Sequence, residues 1–541
     1  MSLPGRVGSK VVSAVGGGLH TAVVFQRAGL VRPVRPDRLV RSGVTLARWG
    51  PTPAAGFTSA AIHRQGDTAI IDERGTLTFD QVHRRSNALA RSLADAGIQA
   101  GDGVAIMCRD HRWFVEATLA CSKLGATALY LNTAFAGPQL AEVVDREGPV
   151  ALVYDQEFGA LLQDAGRDRQ RFVAWHDDEN VADPTLEQLI ASGDDADLKA
   201  PSEPGRIVIL TSGTTGTPKG AQREPAGLGA AAALLSRIPL RARETTLIAA
   251  PMFHSWGLAH FSLGLLLSST YVLKRRFNPE ETLEAIDRHR PTALAVVPVM
   301  IQRILELPEE TRRKYDTSSL RVVAASGSAL PGELAERFMD EFGDILYNLY
   351  GSTEVAWATI ATPADLRAAP GTAGTPPRGT TLRILDDDGR PVPTGATGRI
   401  FVANEMLFEG YTGGGGKQVI SDLMSTGDVG HVDSSGRLFV EGRDDEMIVS
   451  GGENVFPSEV ENLLAKHDDV TEAAVIGVED EEFGQRLKAF VVPKPDSTLT
   501  PADVQAYVKS NLARFKVPRE VVFLDELPRN PTGKILKREL S

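Results

Sequence analysis

The chain has 541 residues, of which 42% are apolar and 24% are charged, and its formal net charge is −12. This length exceeds what one hydrophobic core normally holds and predicts at least two domains. The negative charge argues against a general nucleic-acid-binding protein. The only cysteines, Cys108 and Cys121, cannot build a disulfide framework and fit a reducing, cytoplasmic location.

Residues 1–50 differ in composition from the rest and are predicted to form a basic N-terminal extension. They carry eight Lys and Arg against the single acid Asp37, which gives +7 and leaves −19 for the remainder of the −12 total. Valines recur at a partly helical spacing, interrupted by glycines at 16–18. Two interpretations stay open: a helix packed on the protein, which the glycines favour, and a weak peripheral anchor on anionic lipid. No run of 18 apolar residues predicts a membrane span.

Residues 51–441 are predicted to form a large α/β domain of mainly parallel sheets. A capping box at 78–81 begins a helix that ends before Gly97. Short apolar runs then alternate with helical stretches, a pattern typical of parallel strands with crossover helices. The runs lie at residues 104–107, 127–130, 151–154, 207–210, 245–250, 293–297 and 321–325.

Two further units are predicted after residue 382. Short apolar runs separated by Asp- and Gly-rich turns indicate an antiparallel β-rich subdomain of the large domain. Residues 442–541 are predicted to form a small, mobile α+β lid. Its expected elements are a helix at 458–466, strands at 472–478 and 487–492, and a helix from Pro501.

The most informative segment, residues 211–220, reads TSGTTGTPKG after the apolar run 207–210. Its three glycines allow tight folding, and five hydroxyl groups and Lys219 supply donors with no opposing carboxylate. Such a loop is suited to a polyphosphate. It is not the common P-loop, because Lys219 is followed by Gly220 rather than Ser or Thr. Composition alone would also allow a flexible surface loop.

Four other motifs follow in order: YGSTE at 350–354, STGD at 425–428, GRDDEMI at 442–448 with SGGEN at 450–454, and PTGKI at 531–535. With the 211–220 loop, they resemble the signatures of the adenylate-forming enzymes, which include acyl-CoA synthetases, firefly luciferase and peptide synthetase adenylation domains. The resemblance extends from about residue 55 to the end of the chain. Five motifs in the family's order make coincidence very improbable.

The resemblance implies a nucleotide site and its cofactors, ATP and Mg²⁺. The phosphates would be held by the loop residues Thr211, Ser212, Gly213, Thr214, Thr215, Gly216 and Lys219. Glu354 would hold Mg²⁺, and Thr353 would contact the α-phosphate. The adenine and ribose would contact Tyr350, the turn Gly327, Ser328 and Ala329, and the pair Asp428 and Arg443.

The resemblance also implies two half-reactions. Lys534 would reach the carboxylate and α-phosphate during adenylation. The lid would then rotate about Asp445, and Gly451 and Gly452 would let the pantetheine arm of CoA pass close to the backbone. Adenylation needs no general base, because a carboxylate is already ionised at neutral pH, and no catalytic triad signature occurs.

The acyl group is less determined by the sequence. His254, in PMFHSWGL at 251–258, resembles the family position that gates the carboxylate side of the pocket. The following segment 260–267 is apolar and rich in small residues, and no charged partner for a substrate amine is evident. A fatty acid is therefore the best-fitting substrate.

Each motif has a simpler structural explanation when it is taken alone. Glu354 could be a helix N-terminal acid, Asp428 a turn residue, Lys534 a solvated lysine, and 451–452 an ordinary hairpin turn. The chain also departs from the family after Gly220, where AQREP replaces a common histidine segment, and at 413–417, where GGGGK stands. These departures affect local loop geometry and substrate class rather than the nucleotide chemistry.

The leading hypothesis is a fatty-acyl-CoA synthetase. The alternatives are an acyl-AMP ligase that delivers to a carrier protein, a luciferase-like oxygenase, and a nucleotide-binding scaffold at a membrane without turnover. The shared motifs do not separate the first two.

Overall fold

The computed structural model describes residues 18–540 except positions 34, 136, 164, 167, 179, 211–218, 223–226, 413, 445–447, 451–452, 481–483, 513–515 and 531–532. It is a mixed α/β structure, as predicted, with two large, mainly parallel sheets followed by two smaller ones. The α-helices span Pro36–Trp49, Pro53–Arg64, Phe79–Asp95, Arg112–Leu124, Gly137–Glu147, Leu186–Ser192, Leu228–Arg237, Ser255–Leu267, Pro279–His289, Pro298–Glu306, Glu309–Arg313, Gly332–Phe342, Pro363–Ala368, Pro457–Leu464 and Pro501–Asn511.

The first sheet has eight strands, and its six inner strands are parallel. Its central strands are almost wholly buried, which explains their continuous apolar sequence. Antiparallel strands close both edges. In spatial order the strands are Thr359–Ala361, Leu346–Tyr350, Val322–Ala325, Ala293–Val296, Thr245–Ile248, Thr270–Leu273, Thr68–Asp72 and Gly75–Thr78.

The second sheet has seven strands, five of them parallel, with two antiparallel strands at one edge. In spatial order they are Gly410–Tyr411, Gly220–Gln222, Ile207–Leu210, Thr127–Tyr130, Gly103–Met107, Ala151–Tyr154 and Gln170–Val173. One buried cluster joins Ile70 and Ile248 of the first sheet to Val104 and Val153 of the second. The two sheets therefore share a hydrophobic core.

The helix Phe79–Asp95, one of those in this shared core, begins as the sequence predicts. The Thr78 hydroxyl accepts a hydrogen bond from the Gln81 backbone, and the Gln81 side chain accepts one from the Thr78 backbone. This reciprocal capping satisfies two backbone donors at the helix start. Gly97, with φ +95°, lies just beyond the helix end.

The third sheet is antiparallel, as the Asp- and Gly-rich turns predict. Its strands are Thr381–Leu385, Gly398–Ala403, Val419–Ile420, Leu423–Val432 and Leu438–Arg443. Asp428 and Arg443 lie opposite each other in its ladder. The sheet thus brings two of the predicted site residues together.

The fourth sheet belongs to the C-terminal segment, and its strands are Ile448–Ser450, Glu453–Val455, Val470–Asp480, Gly484–Pro493 and Glu520–Phe523. A separate core lies between this sheet and the helices Pro457–Leu464 and Pro501–Asn511. The predicted α+β elements are present here with somewhat longer strands.

The N-terminal extension contains helical residues 18–27 and the helix Pro36–Trp49. Val24 and Ala28 are buried in the core of the first sheet, and the Ala28 carbonyl accepts a hydrogen bond from the Ala242 backbone at 2.8 Å. The packing interpretation of the extension therefore holds for this part. Within the described part of the chain, every helix is too short or too polar to cross a bilayer.

Candidate active site

A cavity of about 1490 Å³ lies where the first and second sheets, the third sheet and the C-terminal segment meet. Its polar end contains residues from all five predicted motif regions, as far as the structure describes them. Charged and hydroxyl groups of the motif regions and their neighbours line it: Lys219, Thr353, Glu354, Tyr411, Lys417, Thr426, Arg443 and Lys534. Elsewhere the lining also includes the charged residues Glu142, Arg146, Glu203, Arg206 and Glu409. These residues lie far apart in the sequence, so the fold itself assembles the site.

Glu354 lies at the end of the first sheet and is buried. Its carboxylate accepts one hydrogen bond from the Ser352 hydroxyl at 2.8 Å and another from the Tyr411 hydroxyl at 2.7 Å. Burial and this contact raise the pKa of Tyr411 well above its usual value. The carboxylate is thus fixed in place at the cavity wall, where an oxygen ligand could hold a hard cation such as Mg²⁺.

Asp428 and Tyr350 form a pair behind the cavity wall. The Tyr350 hydroxyl donates to the Asp428 carboxylate at 2.5 Å, and the Arg443 guanidinium lies 3.6 Å from the other carboxylate oxygen. Burial raises the pKa of Asp428 above its ordinary value, while Tyr350, Arg443 and the more distant Lys534 act in the opposite direction. Neither Asp428 nor Tyr350 lines the cavity directly, but Arg443 does.

The predicted adenine turn is only partly at the cavity. Gly327 lines it, with φ +99°, a value that favours glycine. Its predicted companions, Ser328 and Ala329, do not line it. Instead Ser326, the preceding residue, does. Thr353 lies at the wall, 3.4 Å from the Ser255 hydroxyl.

Lys534 is carried to the cavity by a turn of the C-terminal segment. Its backbone exchanges hydrogen bonds with Asn530: Lys534 N donates to the Asn530 side chain at 2.8 Å, and Asn530 N donates to the Lys534 carbonyl at 2.9 Å. Gly533 has φ +77°, and a Cβ there would lie 2.2 Å from Val299 Cγ1. The turn therefore packs directly against the helix Pro298–Glu306 of the first-sheet region.

His254 lines the cavity immediately before the helix Ser255–Leu267. Its Nε2 has no hydrogen-bond partner among the described residues. Burial lowers the pKa of His254 to about 4, so the ring is neutral at physiological pH. A buried ring nitrogen without a partner can hydrogen-bond a ligand in the cavity.

Three helices, Pro53–Arg64, Leu228–Arg237 and Ser255–Leu267, supply an apolar part of the lining, called here the apolar end. In the described structure, these helices contribute no charged side chain to the lining. Their contributions are mainly Ala, Gly and Leu, which leave room and offer apolar contact. They include Ala55, Gly56, Leu228, Ala231, Leu234, Leu258, Ala259, Ser262, Leu263, Leu265 and Leu266.

Several predicted residues lie outside the described residues: Thr211, Ser212, Gly213, Thr214, Thr215 and Gly216 of the loop, Gly451 and Gly452, and the predicted hinge Asp445. Lys219, the remaining predicted residue of that loop, lies within the described part of the structure. Its ammonium group lies 5.5 Å from the ring centre of Tyr411, at the cavity wall.

Tyr411 and Lys417 are among the cavity residues that the sequence does not predict. The Lys417 ammonium lies 3.2 Å from where a Cβ of Gly427 would stand, beside Asp428. Its signal was present in the sequence as a lysine that ends a run of four glycines, an arrangement suited to anions. No short motif marked Tyr411, whose position depends on the pairing of Gly410–Tyr411 with Gly220–Gln222.

The donor set fits a magnesium nucleotide. Lys219, Lys417, Arg443 and Lys534 provide positive charge at one end of the cavity, which suits phosphate groups. Glu354 provides the carboxylate that a bridging Mg²⁺ requires. The arrangement can therefore bind a triphosphate and hold a second ligand at the apolar end.

Comparison with known proteins places this site in a family. Residues 57–412 match the family model described as AMP-binding enzyme, and residues 459–534 match the model described as AMP-binding enzyme C-terminal domain. The chain therefore belongs to the AMP-binding enzyme family. The predicted family resemblance and the predicted fold class are confirmed.

Curated relatives are similar over almost the whole chain. An indoleacetate–CoA ligase of Aromatoleum aromaticum is 34% identical over 88% of this chain and 94% of its own length. A feruloyl-CoA synthase of an Amycolatopsis species is 34% identical, with coverage of 92% and 98%. A fatty acid–[acyl-carrier-protein] ligase, ScoC, of Streptomyces coeruleorubidus is 31% identical, with coverage of 89% and 94%.

Solved structures are similar in fold. The anthranilate CoA ligase AuaEII in complex with anthranoyl-AMP has a TM-score of 0.81 at 26% identity, covering 90% of this chain and 96% of that one. The o-succinylbenzoate CoA synthetase of Bacillus subtilis with its acyl-adenylate has a TM-score of 0.78 at 27% identity, with coverage of 90% and 97%. The predicted enzyme class, an ATP-dependent, AMP-forming acid–thiol ligase, is confirmed, and ATP, Mg²⁺ and CoA are the cofactors of this class.

Proposed function

We propose that this member of the AMP-binding enzyme family is a fatty-acyl-CoA synthetase. It activates a medium- to long-chain fatty acid with ATP to acyl-AMP and pyrophosphate, and then transfers the acyl group to CoA. The observation that carries the choice of acid is the cavity lining, which combines Lys219, Lys417, Arg443 and Lys534 with three helices that contribute no charged group. An apolar chain with a terminal carboxylate has the same polarity.

In the first half-reaction, a carboxylate oxygen of the acid attacks the α-phosphorus of ATP, and the bond to pyrophosphate breaks. The ionised acid needs no base, so the protein's work is to hold two anions together and stabilise the charge that develops. Lys534 at the cavity wall is suited to the oxygens around the α-phosphorus, and Lys219 to the departing pyrophosphate, together with the 211–216 loop. Glu354 would hold Mg²⁺, which neutralises phosphate charge, and Thr353 would contact the α-phosphate.

The ribose and adenine are assigned to the residues around Asp428. A carboxylate can accept hydrogen bonds from both ribose hydroxyls, and Arg443 lies beside it at the wall. The hydrogen bond from Tyr350, behind the cavity wall, holds that carboxylate in place. The adenine would lie next to Gly327, which lines the cavity. Lys417 adds a further cation near the same turn.

The neutral ring of His254 is suited to orient the acid carboxylate. With a pKa of about 4 it can donate a hydrogen bond at neutral pH without carrying a charge. His254 directly precedes the helix Ser255–Leu267. It therefore lies between the apolar lining from that helix and the polar end. The acyl chain would then lie along that helix.

In the second half-reaction, the CoA thiolate attacks the acyl carbonyl carbon, and the bond to the AMP oxygen breaks. Lys534 must leave the cavity wall to admit the thiol, so we propose that the segment after residue 442 rotates about Asp445. Gly451 and Gly452 would then line the passage of the pantetheine arm. In this proposal, the Lys534 turn at the cavity wall would serve the first half-reaction.

A second candidate is an acyl-AMP ligase that delivers the same acid to a carrier protein. The similarity to ScoC supports this candidate, because the name of ScoC gives an acyl carrier protein as the acceptor. Aromatic acids are the competing substrate class, because the names of other relatives state indoleacetate and feruloyl groups.

The experiment is ATP–pyrophosphate exchange by the purified chain with straight-chain acids of increasing length, indoleacetate, ferulate and succinylbenzoate. We expect exchange to depend on an aliphatic acid and to rise with chain length. Preference for an aromatic acid would refute the fatty acid assignment, and no exchange with any acid would support the scaffold alternative. Product analysis with CoA and with a loaded carrier protein then identifies the acceptor, and light emission with a luciferin would reveal oxygenase activity.

A further inference from the structure

The helix Pro36–Trp49 has an unusual orientation of its side chains. Ser42 and Thr45 are the buried residues of this helix, and the Ser42 hydroxyl lies 2.7 Å from the imidazole of His63 on the next helix. By contrast Leu39 is 61% exposed and Val40 is 64% exposed. The helix thus attaches to the protein through small polar groups and presents its large aliphatic groups to the solvent.

The exposed aliphatic groups form a continuous face. At about 100° per residue, Leu39, Val40, Val44 and Leu46 lie within an arc of about 160°, and Ser42 and Thr45 lie outside it. Nine large hydrophobic side chains are exposed in the described structure, and seven of them belong to this extension. The seven are Leu19, Val23, Val31, Leu39, Val40, Val44 and Leu46. Such a concentration marks an interaction surface rather than scattered exposure.

Arginines border this face. Arg41 and Arg48 are exposed and adjoin Val44 on the helix, and Arg27 and Arg32 are exposed nearby in the extension. The acid Asp37 is already paired with Arg35 at 3.1 Å. Burial, and then the guanidinium groups of Arg32, Arg64 and Arg38, lower the pKa of Arg243, while Asp67 acts in the opposite direction, so several arginines lie near one another here. The face therefore combines apolar groups with a cationic border.

We propose that the extension docks on the surface of an anionic phospholipid membrane. Aliphatic side chains would enter the boundary between head groups and acyl chains, and the arginines would contact the phosphate groups. Because the rest of the chain carries −19 and the extension +7, an anionic surface would attract this side and repel the others. A symmetric contact between two copies is less suited, since Arg41 and Arg48 would face the same arginines.

The docking face adjoins the apolar end of the cavity. Leu46 on this helix and Leu228 both line the cavity, and they are 51% and 62% exposed. A fatty acid dissolved in the bilayer could therefore reach the cavity without crossing water. This extension of the inference rests on the proposed function, whereas docking itself does not.

The test is co-sedimentation of the full chain, without ATP or acid, with vesicles of phosphatidylcholine alone or mixed with phosphatidylglycerol. One variant replaces the apolar face, Leu39→Gln with Val40→Gln and Val44→Gln, and a second replaces the border, Arg41→Gln with Arg48→Gln. The matched controls are Val419→Gln, an aliphatic group 54% exposed elsewhere, and Arg303→Gln, an exposed arginine of the helix Pro298–Glu306.

We expect the wild type and both controls to bind the anionic vesicles, and each extension variant to bind at least about 10-fold more weakly, with thermal melting unchanged. Raising the salt should weaken wild-type binding. Absence of wild-type binding, or equal binding by the variants, would overturn the proposal. A wild-type dimer that the apolar-face variant converts to a monomer, without vesicle binding, would instead identify the face as a contact between copies.

Discussion

The two ends of the cavity are built in different ways. The polar end combines side chains from strand ends and turns of three sheets and from the turn that carries Lys534. The apolar end is formed by three helices that contribute mostly alanine, glycine and leucine. One end is thus defined by a few fixed hydrogen bonds and charges, and the other by shape.

This difference separates rate from selectivity. A change at the polar end should alter turnover with every acid, because all acids share the reaction at the α-phosphorus. A change at the apolar end should alter the preference among acids and leave the ATP requirement unchanged. Five substitutions, each described below with its expected effect, test this separation.

The largest effect is expected for Lys534→Ala. Removal of a cation that stabilises developing charge should lower pyrophosphate release by about 10²–10³-fold with every acid. The measurement is steady-state pyrophosphate release across the acid series. Lys509→Ala, an exposed lysine of the same C-terminal segment, is the control and should retain wild-type activity. An equal loss in both variants would mean that Lys534 acts through the fold of the segment.

Ala259→Phe should change selectivity. Ala259 lines the apolar end, so a phenyl group there would occupy space and lower kcat/KM for long acids by about 10- to 100-fold. Short acids and the KM for ATP should be affected much less. Leu266→Ala, which enlarges the same end, should shift the preference towards bulkier acids. A uniform loss with every acid would show that the helices do not select the acyl chain.

His254→Asn should raise the KM for the acid by about 5- to 10-fold, because one hydrogen bond in a buried place is altered. Since the pKa of His254 is about 4, its ring does not titrate between about pH 6 and 8, and the variant should keep the wild-type pH profile over that range. His260→Asn is the matched control, because the pKa of His260 is also about 4 but it does not line the cavity. A changed profile in His254→Asn alone would indicate a charged ring during turnover.

The same two histidines predict the effect of acid on stability. Their pKa values lie below the usual 6.5, so between about pH 6.5 and 4 the unfolded chain binds more protons than the folded chain. The free energy of unfolding should therefore fall as the pH is lowered through this range. His260→Asn should reduce that dependence in pH-resolved denaturant unfolding.

The smallest effect is expected for Tyr411→Phe. It removes one hydrogen bond to Glu354, so the Mg²⁺ concentration for half-maximal activity should rise by about 2- to 10-fold. Tyr315→Phe removes the corresponding tyrosine–glutamate contact with Glu280 at the surface, where the two oxygens are 2.9 Å apart. That control should not change the Mg²⁺ requirement. If the Mg²⁺ dependence of activity were the same for Tyr411→Phe and the wild type, the proposal that Glu354 holds Mg²⁺ would be contradicted.

The polar end could largely be predicted from the sequence because its residues lie in short motifs with restrictive chemistry. Glu354, Arg443 and Lys534 were predicted in this way, and all three line the cavity. Tyr411 could not be predicted, since it reaches Glu354 only through strand pairing with a segment almost 190 positions earlier. Contacts of this kind depend on tertiary structure and leave no local pattern.

The fold was predictable in type more than in boundaries. Buried parallel strands have continuous apolar runs, and the strand Ala151–Tyr154 has the predicted limits. The strand predicted at 472–478 extends to Val470–Asp480 because its long antiparallel ladder with Gly484–Pro493 continues into polar residues. The amphipathic pattern of Pro36–Trp49 gave no indication that its aliphatic face would be the exposed one, since burial depends on neighbouring elements.

The position of Lys534 at the cavity depends on the absence of a side chain at Gly533. Any other residue would add a Cβ only 2.2 Å from Val299 Cγ1. This clash would displace the turn that carries Lys534. A variant substituted at Gly533 would fail to make the adenylate, yet it could still convert added acyl-adenylate into the thioester. One methyl group at this position would thus uncouple the two chemical steps.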